Sequence, residues 1–112
     1  MDPLTYDPAK LVERLVQAGE EWADKNAAAE LLEETKSTLL ATLAVAHIEI
    51  GDSAAKAELR AKSSAAYADH LKDMVEARRQ ANRARVRYDS GRVFGDHIRT
   101  KAATERAQME MR

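Results

Sequence analysis

Apolar residues recur along the first half of the chain in alternating steps of four and three. The twelve positions with this spacing are Leu11, Leu15, Ala18, Trp22, Lys25, Ala29, Leu32, Lys36, Leu39, Leu43, Ala46 and Ile50. Ten of the twelve are apolar, which is a heptad seam of more than five repeats and predicts a coiled-coil-like helix. Asp7 before Pro8 is typical of an N-cap followed by the first helical residue, so this helix is predicted over about residues 8–50.

A reversal of the chain is predicted directly after this helix. Gly51, Asp52 and Ser53 supply a C-terminal glycine and two N-cap candidates. So short a connection makes neighbouring helices antiparallel, and a second helix is predicted over about residues 54–89. Its core-facing stripe is Ala57, Arg60, Ser64, Tyr67, Leu71, Met74, Ala81 and Tyr88.

The glycines at 91 and 95 interrupt the helical pattern on either side of Phe94, and the sequence leaves open whether residues 91–95 form a loop or stay helical. Asp96 is a candidate cap for a third, C-terminal helix over about residues 96–112. The predicted fold class is therefore all-α, a long antiparallel helical hairpin with a short C-terminal helix, in a single domain over residues 1–112. Four larger apolar residues lie off the predicted seams and would stay in water in a monomer, so a homo-oligomer is expected. They are Val12, Val16, Leu31 and Leu40.

Composition narrows the class of protein. Aromatic residues make up only 4% of the 112 residues, so a thick apolar core is not expected. There is no cysteine, which excludes disulfides and fits a cytoplasmic protein. The N-terminal sequence lacks the features of a signal peptide, and no apolar run approaches the roughly 20 residues that cross a bilayer. A soluble, cytoplasmic protein without a membrane partner is predicted.

Nothing in the sequence indicates catalysis. His47, His70 and His97 are scattered and show no paired metal-ligand spacing, so no metal and no cofactor are expected. Aspartates precede two of these histidines directly, and adjacent side chains diverge on a helix, which argues against a proton relay. No enzymatic activity and no catalytic residues are predicted.

Charge is divided between the two halves of the chain. Residues 1–53 hold 4 basic and 11 acidic side chains, a net charge of −7, and residues 54–112 hold 14 and 8, a net charge of +6. The densest basic stretch, residues 78–92, contains six arginines and one acid. Arginines with an interleaved aromatic ring are typical of single-stranded nucleic acid binding, because guanidinium groups contact phosphates and the ring stacks on a base. The candidate site is Arg78, Arg79, Arg83, Arg85, Arg87, Tyr88 and Arg92.

The same residues also fit a solvated helix face whose arginines pair with acids of the first helix or of a neighbouring subunit. On that reading the protein is a non-enzymatic adaptor, scaffold or inhibitor that acts through protein–protein contacts. Composition favours neither reading over the other.

The sequence RARVRYDSGR at residues 83–92, followed by Gly95 and Asp96, resembles the basic motif of the phage recombination mediator UvsY family. The resemblance covers about a dozen residues and is weaker at Arg87 and Asp89. It implies a mostly helical, ring-like homo-oligomer that binds single-stranded DNA, with the family's DNA-binding basic pair at Arg83 and Arg85. It also implies a recombinase and a single-strand binding protein as partners, and a phage-encoded protein in the host cytoplasm.

Overall fold

The computed structural model describes residues 7–111, which form three α-helices and no strand. α1 spans Pro8–Glu49, α2 spans Ala54–Lys62 and α3 spans Ala65–Glu110. The prediction of an all-α chain is therefore confirmed. Contacts divide the chain into two compact units. The central unit is Asp24–Ala81. The terminal unit is described over residues 7–23 and 82–111, so it contains the start of α1 and the C-terminal part of α3.

α1 begins where the predicted cap places it. The side-chain oxygen of Asp7 accepts a hydrogen bond from the backbone N–H of Ala9 at 3.0 Å. The carbonyl of Asp7 accepts the N–H of Leu11 at 3.0 Å. Pro8, which has no N–H to leave unpaired, is the first helical residue. These local bonds explain why the helix starts here.

α1 ends in the central unit with a glycine turn. Gly51 has a φ of 108°, a conformation that residues with a side chain rarely adopt. Its N–H donates to the carbonyl of Ile48 at 3.0 Å, and the N–H of Asp52 donates to the carbonyl of His47 at 3.1 Å. This pair of bonds is the Schellman arrangement, which pairs carbonyls that the end of a helix leaves without partners. The predicted reversal is confirmed.

Three basic side chains lie close to the carboxylate of Asp52 at this turn. Its carboxylate, only 11% exposed, lies 3.4 Å from Nε of Arg60, 3.7 Å from Nδ1 of His47 and 3.8 Å from Nζ of Lys56. Ser53 caps α2 by accepting the N–H of Lys56 at 3.3 Å. The turn is therefore joined to both of its flanking helices.

The second predicted helix, over residues 54–89, is divided in the structure. α2 ends at Lys62, and the hydroxyl of Ser63 donates to the carbonyl of Leu59 at 3.0 Å. The hydroxyl of Ser64 donates to Ala61 at 2.7 Å and accepts the N–H of Tyr67 at 3.2 Å, which caps α3. Serine hydroxyls compete with backbone groups for hydrogen bonds, and two in succession separate the helices here.

The predicted separate C-terminal helix over about residues 96–112 is wrong, because α3 continues through Gly91 and Gly95 to Glu110. Both glycines face α1 in the terminal unit. A Cβ built at Gly91 would lie 3.0 Å from Cδ2 of Leu15, and one built at Gly95 would lie 3.6 Å from Cδ2 of Leu11. The two glycines therefore lie inside a continuous helix, where they leave room for leucine side chains of the antiparallel helix α1. Asp96 lies within α3 and caps no separate helix.

The buried positions differ in part from the predicted seams. On α1 the lysines at 25 and 36 are exposed, while Asn26 and His47 are half-buried in place of Lys25 and Ala46. An α-helix drifts by about 20° per heptad from a strict repeat of seven, which moves the inward position to the next residue. On the second stripe, Arg60 is exposed. Apart from Gly95, the buried residues among 7–111 are Leu11 and five alanines: Ala29, Ala57, Ala61, Ala81 and Ala84.

Three of the four apolar residues expected to remain in water are exposed. Val12 is 61% exposed, Val16 54% and Leu31 61%, whereas Leu40 is half-buried. Among residues 7–111, no helix has a stretch long and apolar enough to cross a membrane.

Candidate nucleic-acid interface

The first two arginines of the basic stretch lie in the central unit and differ in their surroundings. Nε and Nη2 of Arg78 donate to the two carboxylate oxygens of Glu33 at 2.7 and 3.1 Å, and Nη1 donates to Oδ1 of Asn26 at 2.8 Å. Arg79 is 60% exposed and has only a weak contact with Glu76, at 3.8 Å. Arg78 is therefore engaged across α1 and α3, while Arg79 is accessible.

The contact with Glu33 also affects proton binding. The hydrogen bond from the Arg78 guanidinium holds the pKa of the Glu33 carboxyl below its ordinary value. The same hydrogen bond raises the pKa of Arg78. Each partner therefore favours the charged form of the other, as in other bidentate arginine–carboxylate pairs.

The remaining arginines of the stretch lie in the terminal unit, and all of them are exposed. Nη2 of Arg87 lies 2.7 Å from Oε1 of Glu21 on α1, and Nε of Arg85 lies 3.6 Å from Oδ2 of Asp89, one turn further along α3. Among residues 7–111, neither Arg83 nor Arg92 has a carboxylate oxygen within 4.0 Å. Two guanidinium groups therefore lack an acidic partner within the described chain.

An aromatic pair lies beside these arginines. The ring of Tyr88 stacks on that of Trp22 from α1, with ring centroids 5.6 Å apart and an angle of 28° between the planes. A Cβ built at Gly19 would be 3.3 Å from Cε2 of Tyr88, so the glycine allows the ring to lie close to α1. Tyr88 and Trp22 are both half-buried.

Two arginines cover the aromatic pair. The guanidinium carbon of Arg85 lies 5.9 Å from the centroid of the Trp22 ring, and that of Arg92 lies 5.8 Å from the Tyr88 ring. Both distances are typical of cation–π contacts. The terminal unit therefore brings Arg85, Tyr88 and Arg92 together, as the sequence suggested, and adds Trp22.

Sequence reasoning assigned Trp22 to the apolar seam and did not include it in the site. The available signal was its position: it is the one tryptophan of the chain, on a helix predicted to lie antiparallel to the basic helix. The spacing of apolar residues shows that Trp22 faces the partner helix but not which residue it meets. That depends on the register between α1 and α3.

The charge division persists inside the terminal unit. Residues 7–23, which are Asp7 and the start of α1, carry two basic and four acidic side chains, a net charge of −2. Residues 82–111, which are the C-terminal part of α3 and Met111, carry seven basic and four acidic side chains, a net charge of +3. The net positive charge of this unit therefore lies on α3. Four arginines of the candidate site belong to this unit, and the ion pair with Glu21 engages only one of them, Arg87.

Within the described part of the chain, no group of three or more His, Cys, Asp or Glu side chains is placed to hold a metal ion. Comparison with protein-family models, with curated proteins and with solved structures finds no match to this chain.

Proposed function

We propose that this protein is a non-enzymatic single-stranded DNA-binding accessory of recombination that helps to load a recombinase onto single strands. The observation that carries the proposal is the exposed guanidinium groups of Arg83 and Arg92, which have no acidic partner within residues 7–111. Arg85, also exposed, adds a third group held only loosely by Asp89. Such groups are free to contact phosphates without first breaking a close ion pair.

The aromatic pair supports single strands over a duplex as the ligand. Aromatic rings next to a basic helix let unpaired bases stack, and this kind of binding tolerates any sequence. The part that involves a recombinase and a single-strand binding protein rests on the UvsY resemblance at residues 83–92. The same resemblance supports a phage-encoded homo-oligomer that acts in the host cytoplasm.

The test measures binding of a labelled oligothymidylate of about 16 nucleotides by fluorescence anisotropy at a series of salt concentrations. Affinity should fall steeply with salt, with a slope of about −0.7 for each phosphate contacted. The double variant Arg83→Ala with Arg85→Ala should bind more weakly and should have a slope shallower by about 1.4.

A matched control variant loses two positive charges in the other unit. Lys62→Ala with Lys72→Ala also removes two exposed positive charges, but from the central unit. Its affinity and salt slope should stay close to those of the unaltered protein. Equal losses in both double variants would show that only net charge matters, and normal affinity in the arginine variant would contradict the proposal.

A protein–protein adaptor, scaffold or inhibitor is the second candidate, favoured by exposed apolar residues on α3. Val86 is 63% exposed and Val93 69%, and they lie seven residues apart on one face of the helix. Such a stripe suits another helix better than a nucleic acid. A stable complex with another protein, together with no oligonucleotide binding above that of an unrelated basic protein, would support this function.

A further inference from the structure

Trp22 has the chemistry of a nucleobase-binding residue, although it lies on the acidic helix. Its indole is half-buried, and its ring stacks on Tyr88 at a centroid distance of 5.6 Å. The Arg85 guanidinium lies 5.9 Å from its ring centroid. The guanidinium that covers the indole therefore belongs to an exposed, charged side chain and not to a packed core.

Arg85 is only weakly held in this position. Its side chain is 64% exposed, and its contact with Asp89 is 3.6 Å long. A cation–π contact at an exposed site is weaker than the stacking of a base on an aromatic ring. A base can therefore replace the guanidinium on the indole at a net gain in binding.

We propose that Trp22 is a base-stacking residue of this protein, an inference that rests on the proposed binding of single-stranded DNA. When a strand binds, one base takes the place of the Arg85 guanidinium on the indole. The released guanidinium then contacts the phosphate beside that base. The ligand is any unpaired nucleotide within a longer strand, since every base has a face that can stack.

Tyr88 has a different role in this arrangement. Its ring is in contact with Trp22 and lies against Gly19 on α1, where a built Cβ would be only 3.3 Å from Cε2 of the ring. These neighbours leave it poorly placed to receive a base. Tyr88 is therefore a positioning residue that fixes the plane of the indole, and Trp22 provides the face that the sequence led us to expect from Tyr88.

Tryptophan fluorescence tests the proposal directly, because Trp22 is the one tryptophan in the chain. Two unlabelled oligonucleotides of equal length are compared, an oligothymidylate and an abasic strand with the same phosphates but no bases. Binding of each is measured separately by competition with a labelled strand. The oligothymidylate should quench the emission of Trp22 as it binds, and the abasic strand should bind without comparable quenching.

Two results would overturn the inference while the proposed function stands: binding of the oligothymidylate with unchanged emission, or equal quenching by both strands. If neither strand binds, the proposed function itself fails, and this inference fails with it. The unaltered protein suffices for these measurements, so loss of folding in a variant does not affect the result.

Substitution of Trp22 gives an independent readout. Trp22→Ala should weaken binding of the oligothymidylate by roughly fivefold or more, while affinity for the abasic strand stays the same. Trp22→Phe keeps an aromatic face and should recover part of the loss. Equal weakening for both strands would show that Trp22 acts only through the structure of the terminal unit, which contradicts a stacking role.

Discussion

Arg78 on α3 binds Glu33 on α1 through two hydrogen bonds, one to each carboxylate oxygen. A third hydrogen bond, to Asn26, completes the contact. The first arginine of the basic stretch thus holds two helices of the central unit together, unlike the exposed arginines that follow it along α3. This difference separates groups that serve the fold from groups that remain available to a ligand.

Glu33 should make the stability of the protein depend on pH. Its pKa in the folded state lies below the ordinary 4.5, so its contribution is complete above that value and is lost as the pH falls through the lower folded-state pKa. Thermal unfolding of the unaltered protein and of Glu33→Gln, followed by circular dichroism, should differ most near neutral pH. The difference should shrink on acidification, and a difference that stays constant down to strongly acidic pH would contradict this assignment.

Arg78→Ala should lower the stability of the protein, whereas Arg83→Ala should weaken its binding of DNA. The first removes three hydrogen bonds that link α1 and α3, and we expect a lower melting temperature. The second removes an exposed group without an acidic partner within residues 7–111, and we expect an unchanged melting temperature with DNA affinity reduced by roughly a few-fold at low salt. Anisotropy and thermal unfolding of both variants check the prediction, and similar profiles for the two would refute it.

Glu21→Gln should strengthen binding of single-stranded DNA. The carboxylate of Glu21 lies 2.7 Å from Nη2 of Arg87 and competes with phosphate for that group. Removing its charge should raise affinity by roughly a few-fold at low salt, because Arg87 is then released. Glu13→Gln on the same helix is a suitable control, since it makes the same charge change at an exposed residue of the same unit. An equal gain in both variants would point to net charge alone.

Gly95→Ala should stabilise the protein more than Gly91→Ala. Both glycines lie inside α3, where alanine is favoured over glycine by about 1 kcal/mol. A methyl group at residue 95 would meet Leu11 at an ordinary 3.6 Å, whereas one at residue 91 would lie 3.0 Å from Leu15 and force that side chain to move. Chemical denaturation of the two variants measures the order, and a lower stability for Gly95→Ala than for Gly91→Ala would contradict the packing described.

Val86 and Val93 should contribute to self-association. Both are more than 60% exposed on the basic part of α3, while Val12 and Val16 are exposed on the acidic part of α1. Apolar stripes with opposite charge around them suit contact between copies of the chain. Light scattering over a range of concentrations should show a lower mass for Val86→Ser with Val93→Ser than for the unaltered protein.

Val75→Ser provides the comparison for this experiment, because Val75 is 65% exposed but lies in the central unit. It should leave the mass unchanged. A monomeric unaltered protein at every concentration would refute the expected homo-oligomer and leave the exposed valines to another partner.

Local signals in the sequence predicted the parts of the structure that depend on neighbouring residues. Asp7 and Pro8 start α1, and Gly51 ends it, since caps and turns are decided by hydrogen bonds over a few residues. The same reasoning failed to place Gly91 inside α3, where it lies close to the side chain of Leu15 from α1. It also overlooked the serine pair at 63 and 64, whose hydroxyls separate α2 from α3.

The amino-acid sequence by itself determined that the chain is helical, where its first helix begins and turns back, and that its arginines cluster near residue 85. The tertiary structure decided which of those arginines remain accessible, because the acids that pair closely with Arg78 and Arg87 lie on α1, across the helix contact. It also decided that Trp22 meets Tyr88 and Arg85. The physical reason is range: helix formation depends on residues within one turn, whereas these contacts join residues 45 to 66 positions apart, through a register that side-chain packing sets.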